Sequence, residues 1–316
     1  MVIVMCCTRN WYIHLSTVIY AILKHNKVKK IYLFIEDDEI PYLKDKKIEF
    51  ININKTEEYV KNTSPNYNTK YSKLSYVRCY FSKLLKEDKI LYLDVDTLVV
   101  DNIEELWNID MQDNVLIGIH ESGEWNKHLN TYGLDDKYIN SGVLVMDLCK
   151  IRQERLDDSM IYLLNNNFYY FPDQDVINLV CRNRIKYVDN RYNSSETTGF
   201  RDDAKIIHYI RGNKGWVKNS LKSDIWYNYH YEYIKEENMD NYKVKAIIDF
   251  NDYEGKDINN SDNKFVERKA NVSEWICNAE RYKYLKEHNV VELIEIIPEE
   301  PIVKEEKPKK KKSSKK

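Results

Sequence analysis

The chain lacks several things at once: a C-x-x-C pair, a large net charge of either sign, and any long apolar run; glycine and proline are scarce, at 8 and 6 in 316 residues. The cysteines (Cys6, Cys7, Cys79, Cys149, Cys181 and Cys277) fall mostly in apolar stretches. They read as reduced core residues of a reducing compartment rather than a disulfide framework. A formal net charge of −2 provides no global field to gather nucleic acid or an anionic membrane. No stretch reaches the roughly 18–20 apolar residues of a bilayer span. The opening Val2–Cys7 is apolar but short, has no basic region before it, and runs into polar residues, so it is not read as a secretory leader. The expectation is a cytoplasmic chain with no membrane span and no nucleic-acid partner. The many Tyr, Asn, Ile and Lys residues are what an AT-rich genome gives, and no function is read from them.

Against that background one stretch stands out, LYLDVDTLVV, Leu91–Val100. It reads as a buried strand with two carboxylates in its middle. On a strand, Asp94 and Asp96 share a face a few ångströms apart. Two like charges there are costly unless neutralised. A divalent cation does this, and oxygen ligands suit Mg²⁺ or Mn²⁺. The alternative is a strand end whose acids face water.

The rest of the chain alternates. Strands are expected at Val2–Cys7, Lys30–Ile35, Ile48–Ile53, Val115–Ile119, Val143–Leu148, Ile185–Val188 and Lys205–Tyr209. Helices are expected through Leu15–Leu23, over Leu74–Leu85 with Arg78 just beside the apolar face, at Asn102–Leu106, over Ile151–Asn167, and from Phe171, where Pro172 and acidic residues fill the first turn. This β-α-β alternation is an α/β pattern. Polar loops are expected at Glu121–Asp136 and Glu196–Asp203. Near Tyr242 the texture changes. Val244–Phe250, Phe265–Lys269 and Val290–Ile297 read as strands and Ser273–His288 as a helix, a strand–helix–strand module that resembles those of some phage-encoded proteins. The expected division is 1–235, 243–298, and a disordered Lys-rich tail over 299–316 that serves solubility or, alternatively, weak attachment to an anionic partner.

Four further pieces stand in order: Ser75-Tyr76-Val77-Arg78 before the DVD stretch, then Tyr138-Ile139-Asn140-Ser141-Gly142 leading into VLVMDL, then Phe171-Pro172-Asp173-Gln174, then His208-Tyr209-Ile210-Arg211-Gly212-Asn213-Lys214-Gly215-Trp216. Their order and spacing over roughly residues 1–220 resemble glycosyltransferase family 8, the glycogenin and lipopolysaccharide galactosyltransferase family. The resemblance implies a GT-A fold and retaining transfer of glucose or galactose from a UDP-sugar. It implies metal ligands Asp94, Asp96 and His208, with Mn²⁺ as the cofactor and Mg²⁺ as the substitute, the metal stabilising the departing diphosphate. Lys214 matches a lysine on that diphosphate. Asn140 matches a donor-sugar residue. Asp173 and Gln174 match a D-Q pair at the sugar, and Arg78 an arginine beside sugar and metal. Thr8, Tyr12 and the DVD residue Val95 fall among the donor-binding positions, with Tyr12 as the ring that stacks on uracil. Departures are Arg9 in the base-binding loop, Arg211 where the family has Gly, and Gly215 where it has Pro. Glu121 is a candidate sugar-contacting acid. The acceptor, whether glycan, protein or small molecule, is not legible, and neither is the oligomeric state. The rival expectation is a protein of the same fold that binds the nucleotide sugar but turns it over weakly or not at all.

Overall fold

A computed structural model describes residues 1–41, 43–67, 71–121, 133–134, 137–217, 219–236, 241–246, 250–252, 266–268, 274–278, 285–286 and 291–297. The chain divides into two compact units, Met1–Tyr233 and Ile234–Lys316. In the first, β1 (Val2–Cys6) leads through a single 3₁₀ turn into α1 (Tyr12–His25). Next come β2 (Lys30–Ile35) and β3 (Ile48–Asn52), then α2 (Lys73–Tyr76) and α3 (Phe81–Leu84), which flank a 3₁₀ turn at Val77–Cys79. There follow β4 (Lys89–Leu93), β5 (Thr97–Val99), α4 (Glu104–Asn108), β6 (Leu116–His120) and β7 (Ile139–Asp147). Helices α5 (Leu148–Gln153), α6 (Leu156–Asn166) and α7 (Pro172–Cys181) precede β8 (Ile185–Val188), β9 (Ile206–His208) and α8 (Ser223–Glu236).

Seven strands form one sheet in the order β3-β2-β1-β4-β7-β6-β8, in which β7 runs against both of its neighbours and the other pairs are parallel. The side-chain alternation is clean. Val2, Val4, Cys6, Ile90, Tyr92, Leu144 and Met146 enter one core, and Ile3, Met5, Cys7, Leu91, Leu93, Val143 and Val145 the other. A sheet covered on both faces explains why these strands are apolar throughout instead of alternating with polar residues.

In the first unit, three helix and strand expectations are corrected. The DVD stretch is not one strand: β4 ends at Leu93, Asp94–Asp96 form a turn, and β5 pairs with β9 in a separate two-stranded sheet. The turn is closed by the Thr97 amide and hydroxyl, both donating to the Asp94 carbonyl at 3.1 and 2.7 Å, as Asp at the head of a turn favours. The single helix expected over Leu74–Leu85 is broken into α2, the 3₁₀ turn and α3. Leu74, Tyr76, Val77, Arg78, Cys79, Tyr80 and Phe81 are all buried, more of the circumference than one α-helical stripe can bury. The helix expected over Ile151–Asn167 is interrupted at Arg155, which takes a left-handed φ of 56° and divides α5 from α6.

The second unit holds β10 (Asn241–Ala246), β11 (Phe250–Asp252), β12 (Val266–Arg268), β13 (Glu274–Asn278) and β14 (Val291–Ile297). β10 is central, antiparallel to β13 and β14, and β11 pairs with β12. The helix expected over Ser273–His288 is corrected here, since its first part is β13. The segment Glu274-Trp275-Ile276-Cys277 carries aromatic and β-branched types that favour strands. The 299–316 tail and most of the Glu121–Asp136 loop lie outside the described residues.

Candidate active site

The turn between β4 and β5 carries Asp94, Val95 and Asp96 to the end of the main sheet, where the Asp94 amide donates to the Gly142 carbonyl of β7 at 2.8 Å. The β5–β9 register sets Thr97 opposite His208, so the imidazole arrives one residue from Asp96. Its Nε2 lies 3.3 Å from Asp96 Oδ1 and 3.7 Å from Asp94 Oδ2. One ligand atom from each of Asp94, Asp96 and His208 lies within 4.8 Å of the others. Gly142 makes this approach possible. A Cβ there would sit 2.1 Å from His208 Cε1 and 2.7 Å from Asp94 Oδ2.

Cations and hydrogen bonds orient the carboxylates. The buried Arg78 guanidinium donates to Asp94 Oδ1 at 2.7 Å and to the Ser141 carbonyl at 2.9 Å. Its Nε lies 3.2 Å from Asp173 Oδ2, and its plane lies over the Tyr92 ring at 4.3 Å. Tyr92 donates its hydroxyl to the same Asp94 Oδ1 at 2.5 Å. Asp94 therefore keeps Oδ2 turned toward His208. Lys214 Nζ sits 2.5 Å from Asp96 Oδ2 and 3.0 Å from the Tyr209 carbonyl. Burial alone would raise Asp96, but His208 and Lys214 outweigh it and hold its carboxyl well below the usual range. Asp173 moves the other way: burial pushes its carboxyl up, against the opposing pull of Arg78. Two buried carboxylates with opposite shifts mark a site rather than a solvated strand end.

A cavity of about 350 Å³ opens over these groups, bordered by Thr8, Trp11, Tyr71, Ser75, Arg78, Asp94, Val95, Asp96, Ser141, Phe171, Asp173 and Gln174. The structure thus gathers Thr8, Arg78, Asp94, Val95, Asp96, Asp173 and Gln174 around one cavity, with His208 against the aspartate pair and Lys214 against Asp96. Arg78, read as lying beside a helix face, is 6% exposed and joins two of the acids.

Two expected donor residues stand elsewhere. Asn140 is behind the wall, its oxygen taken by the Gly142 amide at 3.0 Å and its Nδ2 directed to Gln174 Oε1 at 3.3 Å. Tyr12 is in the core, with its hydroxyl accepting the Glu36 amide at 2.8 Å. Its neighbour Trp11 lines the cavity instead, with Lys214 Nζ 4.8 Å from its ring centroid. The helical phase of α1 carries that distinction, because Tyr12 shares spacing with Leu15, Ile19 and Ile22 and Trp11 precedes the helix. Glu121 is buried and accepts from Gln174 Nε2 at 2.7 Å. Arg9 is exposed and paired with Asp37 through Nε at 3.0 Å. Arg211 takes the left-handed φ of 56° that its family counterpart Gly reaches freely. Tyr92 and Asn193 are not singled out by the sequence motifs.

The family model described as Glycosyl transferase family 8 matches residues 2–220. A Haemophilus influenzae protein named as a glycosyltransferase is 31% identical over 189 residues, 54% of this chain and 53% of its own length. The lipopolysaccharide glucosyltransferase WaaO of Escherichia coli is 27% identical over 151 residues, 42% of this chain and 44% of its own. The chain spans 33% to 61% of the length of the first such relatives. Among solved structures, galactosyltransferase LgtC, in complex with donor and acceptor sugar analogues, matches with a TM-score of 0.61 at 19% identity, covering 73% of this chain and 96% of that one. The fold of the first unit is GT-A. Among the described residues no helix is long and apolar enough to cross a membrane.

Proposed function

The chain belongs to glycosyltransferase family 8, and from that premise we propose that it is a retaining, metal-dependent glycosyltransferase that moves a hexose, glucose or galactose, from a UDP-sugar to an acceptor. The observation that carries this reading is the convergence of Asp94, Asp96 and His208 beneath the cavity. Two carboxylates and an imidazole fit a divalent cation, and the nitrogen favours Mn²⁺ over Mg²⁺ or Ca²⁺. A cation held there supplies Lewis-acid charge to a diphosphate.

The chain's own groups do the rest. Lys214, already beside Asp96, adds positive charge where a leaving diphosphate gathers negative charge. Trp11 presents an aromatic ring to the cavity and takes the base-stacking place that the family resemblance implies for Tyr12, with Thr8 beside it. Arg78 fixes Asp94 and Asp173 against each other, so that one acid faces the cation site and the other the sugar. Tyr71 and Phe171 also border the cavity, where a sugar ring finds apolar surface. The paired Arg9 and Asp37 flank the base loop, so other nucleoside diphosphates belong in the donor test.

Calorimetry of UDP binding with Mn²⁺ and with EDTA tests the reading. Affinity should be far higher with Mn²⁺, and Asp96→Ala should erase the difference. Equal affinity with and without metal in the unaltered protein sinks the assignment. A hydrolysis screen across UDP-sugars with Mn²⁺ then reports the donor without an acceptor in hand. An NMR coupling constant on the product should show the α configuration of the donor; a β-linked product overturns retention.

A further inference from the structure

Five buried polar side chains form one hydrogen-bonded line beneath the cavity. Gln174 Nε2 donates to Glu121 Oε2 at 2.7 Å, Asn140 Nδ2 to Gln174 Oε1 at 3.3 Å, and Asn193 Nδ2 to Asn140 Oδ1 at 2.9 Å. Asn193 Oδ1 meets His208 Nδ1 at 2.9 Å. The line joins the ends of β6, β7, α7 and β9 and the loop after the Asn190–Tyr192 turn.

Its polarity is fixed independently of which way each carboxamide is drawn. The Ser141 amide donates to Gln174 Oε1 at 2.9 Å and the Gly142 amide to Asn140 Oδ1 at 3.0 Å. A backbone N–H only donates, so both oxygens are placed. The Asn140 oxygen then requires the NH₂ of Asn193 on its other side. That leaves the Asn193 oxygen for His208, whose Nδ1 must supply the hydrogen. Nε2 is the ring nitrogen left to offer a lone pair, and it is the one facing Asp94 and Asp96. Asn193 is itself immobilised, fully buried, with its amide donating to the Asn190 carbonyl at 3.0 Å and its carbonyl accepting from the Thr198 hydroxyl.

We propose that Asn193 is a positioning residue with two separable duties: its oxygen holds His208 so that Nε2 is presented as a metal ligand, and its NH₂ holds Asn140 and, through it, Gln174 at the sugar side of the cavity. The proposal rests on the reading of Asp94, Asp96 and His208 as a cation site. Partners that orient a ligating imidazole matter to metal affinity by about 10- to 100-fold. Separate duties predict separate losses. Asn193→Leu removes both. Asn193→Asp keeps an oxygen for His208 but sets an acceptor against Asn140 Oδ1.

The test measures Mn²⁺ binding in the presence of UDP, from the EPR signal of free Mn²⁺, together with hydrolysis of UDP-glucose and UDP-galactose. Circular dichroism and thermal midpoints check that each variant is folded. In Asn193→Leu the Mn²⁺ affinity should fall by about 10- to 100-fold. In Asn193→Asp it should stay within about threefold of the unaltered protein while hydrolysis falls about tenfold or more. Asn193→Asp decides alone if Asn193→Leu does not fold. Equal metal loss in both variants, or hydrolysis unchanged in Asn193→Asp, overturns the proposal. So does unaltered Mn²⁺ affinity in a folded Asn193→Leu. If the unaltered protein binds no Mn²⁺ with UDP, the cation reading itself falls and the proposal with it, a result distinct from the others because it appears before any substitution.

Discussion

Gly142 shows how little space separates the acids from the imidazole. Its missing side chain is the gap through which His208 reaches Asp94, and the atoms that a Cβ would strike belong to a buried ring and a hydrogen-bonded carboxylate. Gly142→Ala should therefore displace His208, lower Mn²⁺-dependent UDP affinity by about tenfold or more, and cost about 1–3 kcal/mol of stability as an overpacked site. Titration calorimetry and urea unfolding measure the two effects; full metal-dependent affinity would mean that the crowding is relieved elsewhere. A second expectation concerns Gln174, whose amide oxygen is already shared by Ser141 and Asn140. Gln174→Ala should slow donor hydrolysis by roughly 10²-fold or less and leave UDP affinity nearly unchanged, which steady-state rates and calorimetry separate. At this scale the sequence was readable where a residue type announces chemistry. Asp94, Asp96, His208, Arg78 and Asp173 are charged or ligating types in apolar surroundings, and they meet. Trp11 and Asn193 are not legible in this way, because a tryptophan beside a tyrosine, or an asparagine in a loop, carries no sign of which way it faces.

At the scale of elements, packing outranked pattern. Strands were legible because a doubly covered sheet makes them apolar end to end. Helix continuity was not, since α2, the 3₁₀ turn and α3 bury nearly every side and α5 stops at a left-handed arginine that no apolar spacing reveals. The packing around α1 and α8 depended on tertiary structure altogether. His14 stacks on Trp216 with ring centroids 4.1 Å apart, His230 stacks on Trp226 at 4.9 Å, and the Thr17 hydroxyl meets His230 Nδ1 at 2.8 Å. Burial, helped by the nearby His230, lowers His14 to about 3, and burial lowers His230 to about 4. Both values lie below the ordinary 6.5, so the unfolded chain binds more protons than the fold between pH 6.5 and the folded values. The stability these rings allow is complete above about pH 6.5 and declines as pH falls toward 4, by up to about 2 kcal/mol each at pH 5. Urea midpoints should drop between pH 7.5 and pH 5, and His14→Phe should flatten part of that slope. An unchanged slope in the variant would show that the acid sensitivity comes from other groups.

At the scale of the whole molecule, the Asp94–Asp96–His208 cluster and its cavity lie within the first unit, Met1–Tyr233. A chain ended at Lys235 is expected to remain folded and to keep Mn²⁺-dependent UDP-sugar hydrolysis; a folded but inactive product would assign the second unit a part in the reaction. The pairing of β5 with β9 has one more consequence, and it concerns time. Thr97 and His208 are partners across more than a hundred residues of sequence, and a slip of one residue would turn the imidazole to the opposite face. While the protein is being synthesised, the aspartates leave the ribosome long before the histidine does. At the usual pace of roughly 5–20 residues per second, several seconds separate the two aspartates from the histidine. A nascent chain in that interval has acids without their ring, so under the proposed metal reading tight capture of a cation would begin only once β9 has closed on β5.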